Sequence, residues 1–226
     1  MQHTDMKHRI IYIIAAIVAA MLATGCSTTK RLGKDDILYT GLKGVDIETP
    51  DGEKFPSGVA STLENAVSVK PNNALLGSAK YRIPIPYGLW VYNNWPNPKS
   101  GFKHWIYEKL VEEPVLVSDV RPEVRVHMLD KLLDDNGYFS GTSSYELIQK
   151  KNKKKASILY RIEPGQPYLL DSIELLPDTT YLYHLIDSVA RRSRYLKPGS
   201  RYSTDSLAAL RVQIANTVRN RGYYYF

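Results

Sequence analysis

Three observations predict an α+β fold made of a strand–helix–helix–strand–strand module that occurs twice behind an export segment. The stretch from Ser118 to Phe139 ends in an amphipathic helix that runs into Asn136-Gly137-Tyr138-Phe139, and Ser203 to Tyr224 repeats that course into Arg221-Gly222-Tyr223-Tyr224. Gly222 stands 85 residues after Gly137 (222 − 137), and Ser203 stands the same distance after Ser118 (203 − 118), and these equal offsets argue for a repeated module. The sequence after the first glycine turns to period two, with Ile158, Tyr160 and Ile162 on one side, which is a strand pattern.

The composition suits a folded protein. Of 226 residues 43% are hydrophobic and 23% charged, which is globular rather than disordered. The formal net charge of +7 permits contact with anionic partners, yet much of the excess sits in two short runs, Lys150–Lys155 and Arg191–Arg194, read as solvated turns. No nucleic acid is therefore expected as a partner. The single cysteine forms no internal disulfide and needs its own explanation.

That explanation lies at the N-terminus. Lys7, His8 and Arg9 form a basic region, residues 10–23 are an apolar run, and Ala23-Thr24-Gly25-Cys26 follows with small residues, which together make a secretory signal over residues 1–25. The run is short for a membrane span. Its ending resembles a bacterial lipobox, with Leu22 one position earlier than the usual leucine, and the resemblance implies a covalent diacylglyceryl group on Cys26; no cofactor is expected. Ser27 is compatible with sorting to the outer membrane, so a lipid-anchored, periplasm-facing protein with a tether over residues 26–36 is expected. Ser27-Thr28-Thr29-Lys30 also fits the Ser-x-x-Lys pattern of penicillin-recognising enzymes, but on a tether and without the partner motifs it carries no chemistry.

The first module is expected over 37–163. A strand is placed within 37–48, and Val59, Leu63, Ala66 and Val67 give a helix through 57–69 that stops before Pro71. Between about 75 and 114 lies an aromatic insertion holding all three tryptophans, Trp90, Trp95 and Trp105. Prolines 84, 86, 96 and 98 argue against regular structure through 83–98, so ring burial should order it. Residues 101–111 read as a short helix with Phe102, Trp105, Ile106 and Leu110 near one face. In the next helix Ser118 or Asp119 is the expected cap, Val126, Leu129, Leu132 and Leu133 the buried stripe, and Arg125, Lys131, Asp134 and Asp135 the wet side. Gly137 suits the position after a helix, where positive φ is needed. Residues 145–148 and 158–162 then pair as a hairpin.

The second module, 168–226, should open with a strand over 168–175 after the turn Pro164-Gly165-Gln166-Pro167. A helix over 181–192 and one capped by Ser203 follow, the latter with the stripe Leu207, Leu210, Ile214 and Val218. A final strand begins at Tyr223, Tyr224, Tyr225 and Phe226, leaving this module incomplete.

The module order resembles the polypeptide-transport-associated (POTRA) domain, and residues 161–173 look like the junction between successive POTRA domains of outer-membrane assembly proteins. With the lipobox, Tyr87-Gly88-Leu89-Trp90-Val91-Tyr92-Asn93, Trp105 and Glu113-Pro114-Val115-Leu116, the chain is similar to the lipid-anchored TamA-like (TamL) proteins of the BamA/TamA superfamily. The resemblance implies unfolded outer-membrane protein clients and a TamB-like inner-membrane partner. Members of that superfamily carry a membrane β-barrel, whose alternating segments these residues do not supply, so the chain is expected to be the N-terminal part of a longer protein or a truncated product.

A small open sheet can bind an extended client by adding it as a strand. The candidate client-binding edge is Ser143, Ser144, Tyr145, Glu146, Leu147, Ile148 and Gln149, and a second edge would begin at Tyr223, Tyr224, Tyr225 and Phe226. Two other classes compete: a scaffold between the outer membrane and an envelope partner, and a hydrolytic or sugar-binding lipoprotein using the aromatic insertion. Against an enzyme, His104, His127 and His184 are far apart in sequence, and no nucleophile elbow, metal motif or phosphate loop is present.

Overall fold

A computed structural model describes residues 28–50, 52–95, 99–149, 152–172, 174–175, 178–195 and 197–224. The signal peptide, Cys26, Ser27, Tyr225 and Phe226 lie outside the described residues, as do Lys150 and Lys151. The architecture is mixed α+β. Its elements are β1 (Leu38–Ile47), α1 (Ser57–Val67), α2 (Tyr87–Asn94), α3 (Phe102–Leu110), α4 (Val117–Val120), α5 (Pro122–Asp135), β2 (Thr142–Gln149), β3 (Lys155–Glu163), α6 (Tyr181–Arg192) and α7 (Thr204–Arg219).

The three strands form one sheet in the order β1-β3-β2. Leu38 N donates to Lys154 O at the start of the β1–β3 pair and Glu48 N to Ile162 O at its end, so the two strands run parallel. Ten residues of β1 thus advance against eight of β3, and the surplus is a local bulge of β1. Gly41 sits inside this stretch with φ +111, and a Cβ there would lie 2.7 Å from Ala79 O. Only glycine admits that approach.

Along β3 the expected alternation holds: Ala156, Ile158, Tyr160 and Ile162 are fully buried, and Arg161 and Glu163 face out. Chain contacts divide into two units. The first holds 28–44, Val67–Glu123 and Tyr145–Leu159 among the described residues, and its cluster of Leu32, Leu38 and Leu89, with Leu116 against it, seats α2. The second holds Val45–Ala66, Val124–Ser144 and 160–224. Its buried residues include Leu63, Leu129, Leu133 and Val218, and α6 packs on α7 around Ala190 and Leu210.

Several expectations need correction. Prolines do not keep 83–98 irregular: Pro86 serves as the N-cap of α2, and the eight residues from Tyr87 to Asn94 contain no proline. The α3 face is not buried either, since Phe102 and Trp105 are largely exposed. Asp119 caps the short α4 by accepting Leu116 N at 2.9 Å, while α5 begins at Pro122, where a missing N–H costs nothing. Arg125 is no free surface cation: its Nη1 donates to Ala66 O at 2.6 Å, in the last turn of α1, where the helix dipole favours positive charge.

The strand expected over 168–175 forms only one bridge, Leu169 to Arg201, flanked by Leu170 N to Ser200 O and Tyr202 N to Tyr168 O. Residues beyond Leu170 find no backbone partner in a neighbouring strand among the described residues, so strand geometry is not propagated. Lys154, in the run read as solvated, donates through Nζ to Leu32 O and Gly33 O at 3.1 and 2.9 Å.

Candidate client-binding edge

The two Gly-Tyr corners come first, because they set where each helix stops. At the end of α5, Gly137 N donates to Asp134 O and Tyr138 N to Leu133 O. At the end of α7, Gly222 N donates to Arg219 O and Tyr223 N to Val218 O. Both are Schellman motifs, both glycines take positive φ (+82 and +93), and every partner is offset by the repeat spacing.

Their surroundings differ. Tyr138 is buried, lies 5.2 Å from the Phe55 ring, and accepts Arg201 Nη1 at 3.1 Å with the guanidinium also over its ring. Phe139 makes edge and tilted contacts with Tyr168 and Tyr202, both at 5.2 Å. Tyr223 and Tyr224 are exposed and belong to no strand among the described residues, so they form no second edge there.

The first corner feeds β2, which is the outer strand of the sheet on its side. Its side chains alternate. Ser143, Tyr145 and Leu147 are half-buried on the helix side, whereas Thr142, Ser144 and Glu146 are exposed. Ser143 Oγ donates to Val126 O at 3.0 Å and lies 2.5 Å from Asp130 Oδ1. Tyr145 donates its hydroxyl to Glu123 Oε1 at 2.5 Å. That bond holds the Glu123 carboxyl below the usual carboxylate range and pushes the Tyr145 phenol up. The inward hydroxyls of Ser143 and Tyr145 are thereby both bonded to α5.

The two carboxylates were not anticipated. Their signal was present: Glu123 and Asp130 are seven apart on one helix face, opposite two hydroxyls two apart on a strand.

The opposite edge is different. Tyr39 N donates to Val115 O, Val117 N to Ile37 O, and Leu38 bridges Leu116 in antiparallel sense, while Leu42 N donates to Ala79 O. Asn72, 1% exposed, fastens that cover by donating to Glu113 O at 2.7 Å and accepting Val115 N at 2.8 Å. The remainder of β1 exposes the charged Lys43 and Asp46, side chains that discourage strand addition. Among the described residues no bridge covers β2 in this way.

Other surfaces offer less chemistry. A shallow groove along α7 exposes Leu207, which the sequence placed in the buried stripe, beside Val212, Arg211 and Arg219. Among the described residues no three His, Cys, Asp or Glu side chains converge as metal ligands, and no helix is long and apolar enough to cross a membrane. His104 lies 3.3 Å from Glu108, one helical turn on.

No family model matches the sequence. No curated protein matches it either. Among solved structures it is similar to the crystal structure of Haemophilus influenzae BamA POTRA3-5, at 13% identity and a TM-score of 0.31, over 81% of this chain and 51% of that one. The chain thus spans about half the length of that structure, and a score so low says nothing about individual strands.

Proposed function

We propose that the chain is a POTRA-type arm of an outer-membrane lipoprotein of the TamA-like (TamL) kind, which binds extended segments of outer-membrane proteins by adding them to β2. The observation that carries this is the asymmetry of the sheet: β1 is covered over residues 37–42, whereas β2 is outermost and already locked from behind. Main-chain bonding to an edge demands little of the guest's sequence, which suits a protein handling many clients. Support for the family comes from the module order and the Gly137-Tyr138 corner, and support for the anchor from the sequence around Cys26. In this proposal the protein is non-catalytic, carries lipid on Cys26, faces the periplasm, and meets a TamB-like partner in the inner membrane.

The test is site-specific photocrosslinking. Tyr145 and Leu147 point inward, so the reactive group belongs at Thr142 and Ser144, whose side chains are exposed. Adducts with nascent outer-membrane proteins are expected at both positions and not at exposed control sites on α7 such as Asn216. Failure to trap any client along residues 142–149 would sink the proposal.

A further inference from the structure

The aromatic insertion supplies a surface that strand addition does not use. Helix α3 exposes Phe102 (74%), Trp105 (57%) and Leu110 (50%), and the first two rings stack at 6.0 Å with an interplanar angle of 16°. A nine-residue helix that leaves three large apolar side chains in water is unusual on a protein that floats free. The exposed Lys99 and Lys109 lie near the two ends of this helix, against the exposed Glu108. Aromatic rings beside lysines are the composition of interfacial membrane contacts, where rings sit at headgroup depth and ammonium groups meet lipid phosphates.

The position of the helix selects the occupant. Asn93 of α2, 3% exposed, accepts Arg31 N at 2.9 Å and donates to Thr28 O at 3.1 Å, so the described chain starts pinned on α2. Helix α2 in turn packs against α3: a Cβ on Gly88 would lie 2.8 Å from Leu110 O, and Glu112 N donates to Gly88 O. Thr28 is two residues from Cys26, a reach of about 7 Å at most. An acyl anchor at Cys26 would therefore hold the α2–α3 pair at the bilayer surface.

The geometry points to α3 as a second membrane contact, in which Phe102, Trp105 and Leu110 enter the interfacial layer of the anionic bilayer that holds the acyl chains. It rests on the lipid-anchor reading of Cys26. The contact would orient the arm as well as tether it, since one flexible anchor fixes position but not direction.

The test uses the full chain purified from membranes, labelled with fluorotryptophan and reconstituted in phosphatidylethanolamine–phosphatidylglycerol vesicles. The Trp105 fluorine resonance is assigned by its absence in Trp105→Phe. A nitroxide near the headgroup end of the lipid acyl chain is expected to broaden the Trp105 resonance beyond detection, and more strongly than those of Trp90 and Trp95. Phe102→Ser with Leu110→Ser, both at exposed positions, should return it. A Trp105 resonance untouched by the lipid nitroxide overturns the proposal, whether an aqueous relaxation agent reaches the ring or a protein contact shields it. The mass of the N-terminal peptide reports acylation separately, so an unlipidated Cys26 and an unengaged α3 are distinguishable failures.

Discussion

Replacing Gly137 with alanine should destabilise the protein far more than the same change at Gly222, although the two residues occupy the same place in the same hydrogen-bonded motif. Both hold positive φ, +82 and +93, for which an L-residue carries a cost of about 1–2 kcal/mol, reduced by about 0.4–1 kcal/mol because alanine also restricts the unfolded chain. At Gly222 a new Cβ meets nothing within 4 Å. At Gly137 it would lie 2.8 Å from Tyr202 O, 3.1 Å from Tyr202 Cβ and 3.4 Å from Tyr168 O. Those atoms cannot retreat freely, because Tyr168 N donates to Gly137 O and Tyr202 N to Tyr168 O. Overpacking of this kind adds about 1–3 kcal/mol. The expected totals are about 2–4 kcal/mol at Gly137 and about 1 kcal/mol or less at Gly222, since exposed residues there can relax. With a urea slope of about 2 kcal/mol/M, the first variant should lose about 1–2 M in midpoint by circular dichroism, at unchanged slope. Gly137→Asn is a useful companion, because asparagine tolerates positive φ but keeps the Cβ. Should Gly137→Ala cost no more than Gly222→Ala, the packing of Tyr168 and Tyr202 on the corner is not as described.

Three further outcomes are expected. Asn72→Ala removes the side chain that bonds Glu113 O and Val115 N, at about 0.5–1.5 kcal/mol for each bond, and amide exchange should accelerate at Val115 and Tyr39 before the rest of β1. Tyr145→Phe removes the donor that lowers the Glu123 pKa, so the carboxyl should titrate closer to its ordinary range by NMR. In the wild type the depressed pKa contributes stability present above the ordinary carboxylate range and lost as pH falls through the folded value, and the variant should show a shallower loss in acid. The raised Tyr145 phenol contributes in the opposite direction: its share is full below the ordinary phenol range and is lost as pH rises through the folded value. Arg201→Met, which keeps a long stem but no donor, should cost about 0.5–1.5 kcal/mol through the Tyr138 hydroxyl and its ring, measured against Tyr138→Phe in a double-mutant cycle.

What was legible in the sequence is what a local pattern controls. The repeat spacing located both Schellman corners, because a glycine after a periodic helix has few alternative uses. Period two in Ile158, Tyr160 and Ile162 placed a strand, and the hairpin put Ser143–Gln149 beside it; that this strand is the central one was not legible. The failures are of other kinds. Prolines mark where a helix cannot continue, and the gap between Pro86 and Pro96 was wide enough for one. Arg125 looked solvated because nothing local shows that the end of α1 supplies a carbonyl. The strand expected at 168–175 had the right composition, but a strand is made by its neighbour, and among the described residues only those near 199–202 serve as one. The cover on β1 came from residues 115–117, some 75 positions away along the chain, and no pattern in either segment announces that pairing.

That cover has a consequence for symmetry. A sheet open on both sides can pass a strand from copy to copy without limit, which is the geometry of a filament. With Asn72 holding 113–115 in place, the β1 side is covered over residues 37–42, and among the described residues β2 is the side left without such a cover. Two copies meeting there would relate by a two-fold axis and be closed at two, and a client strand added there would find no further row to extend. On that side the described sheet can take one further strand.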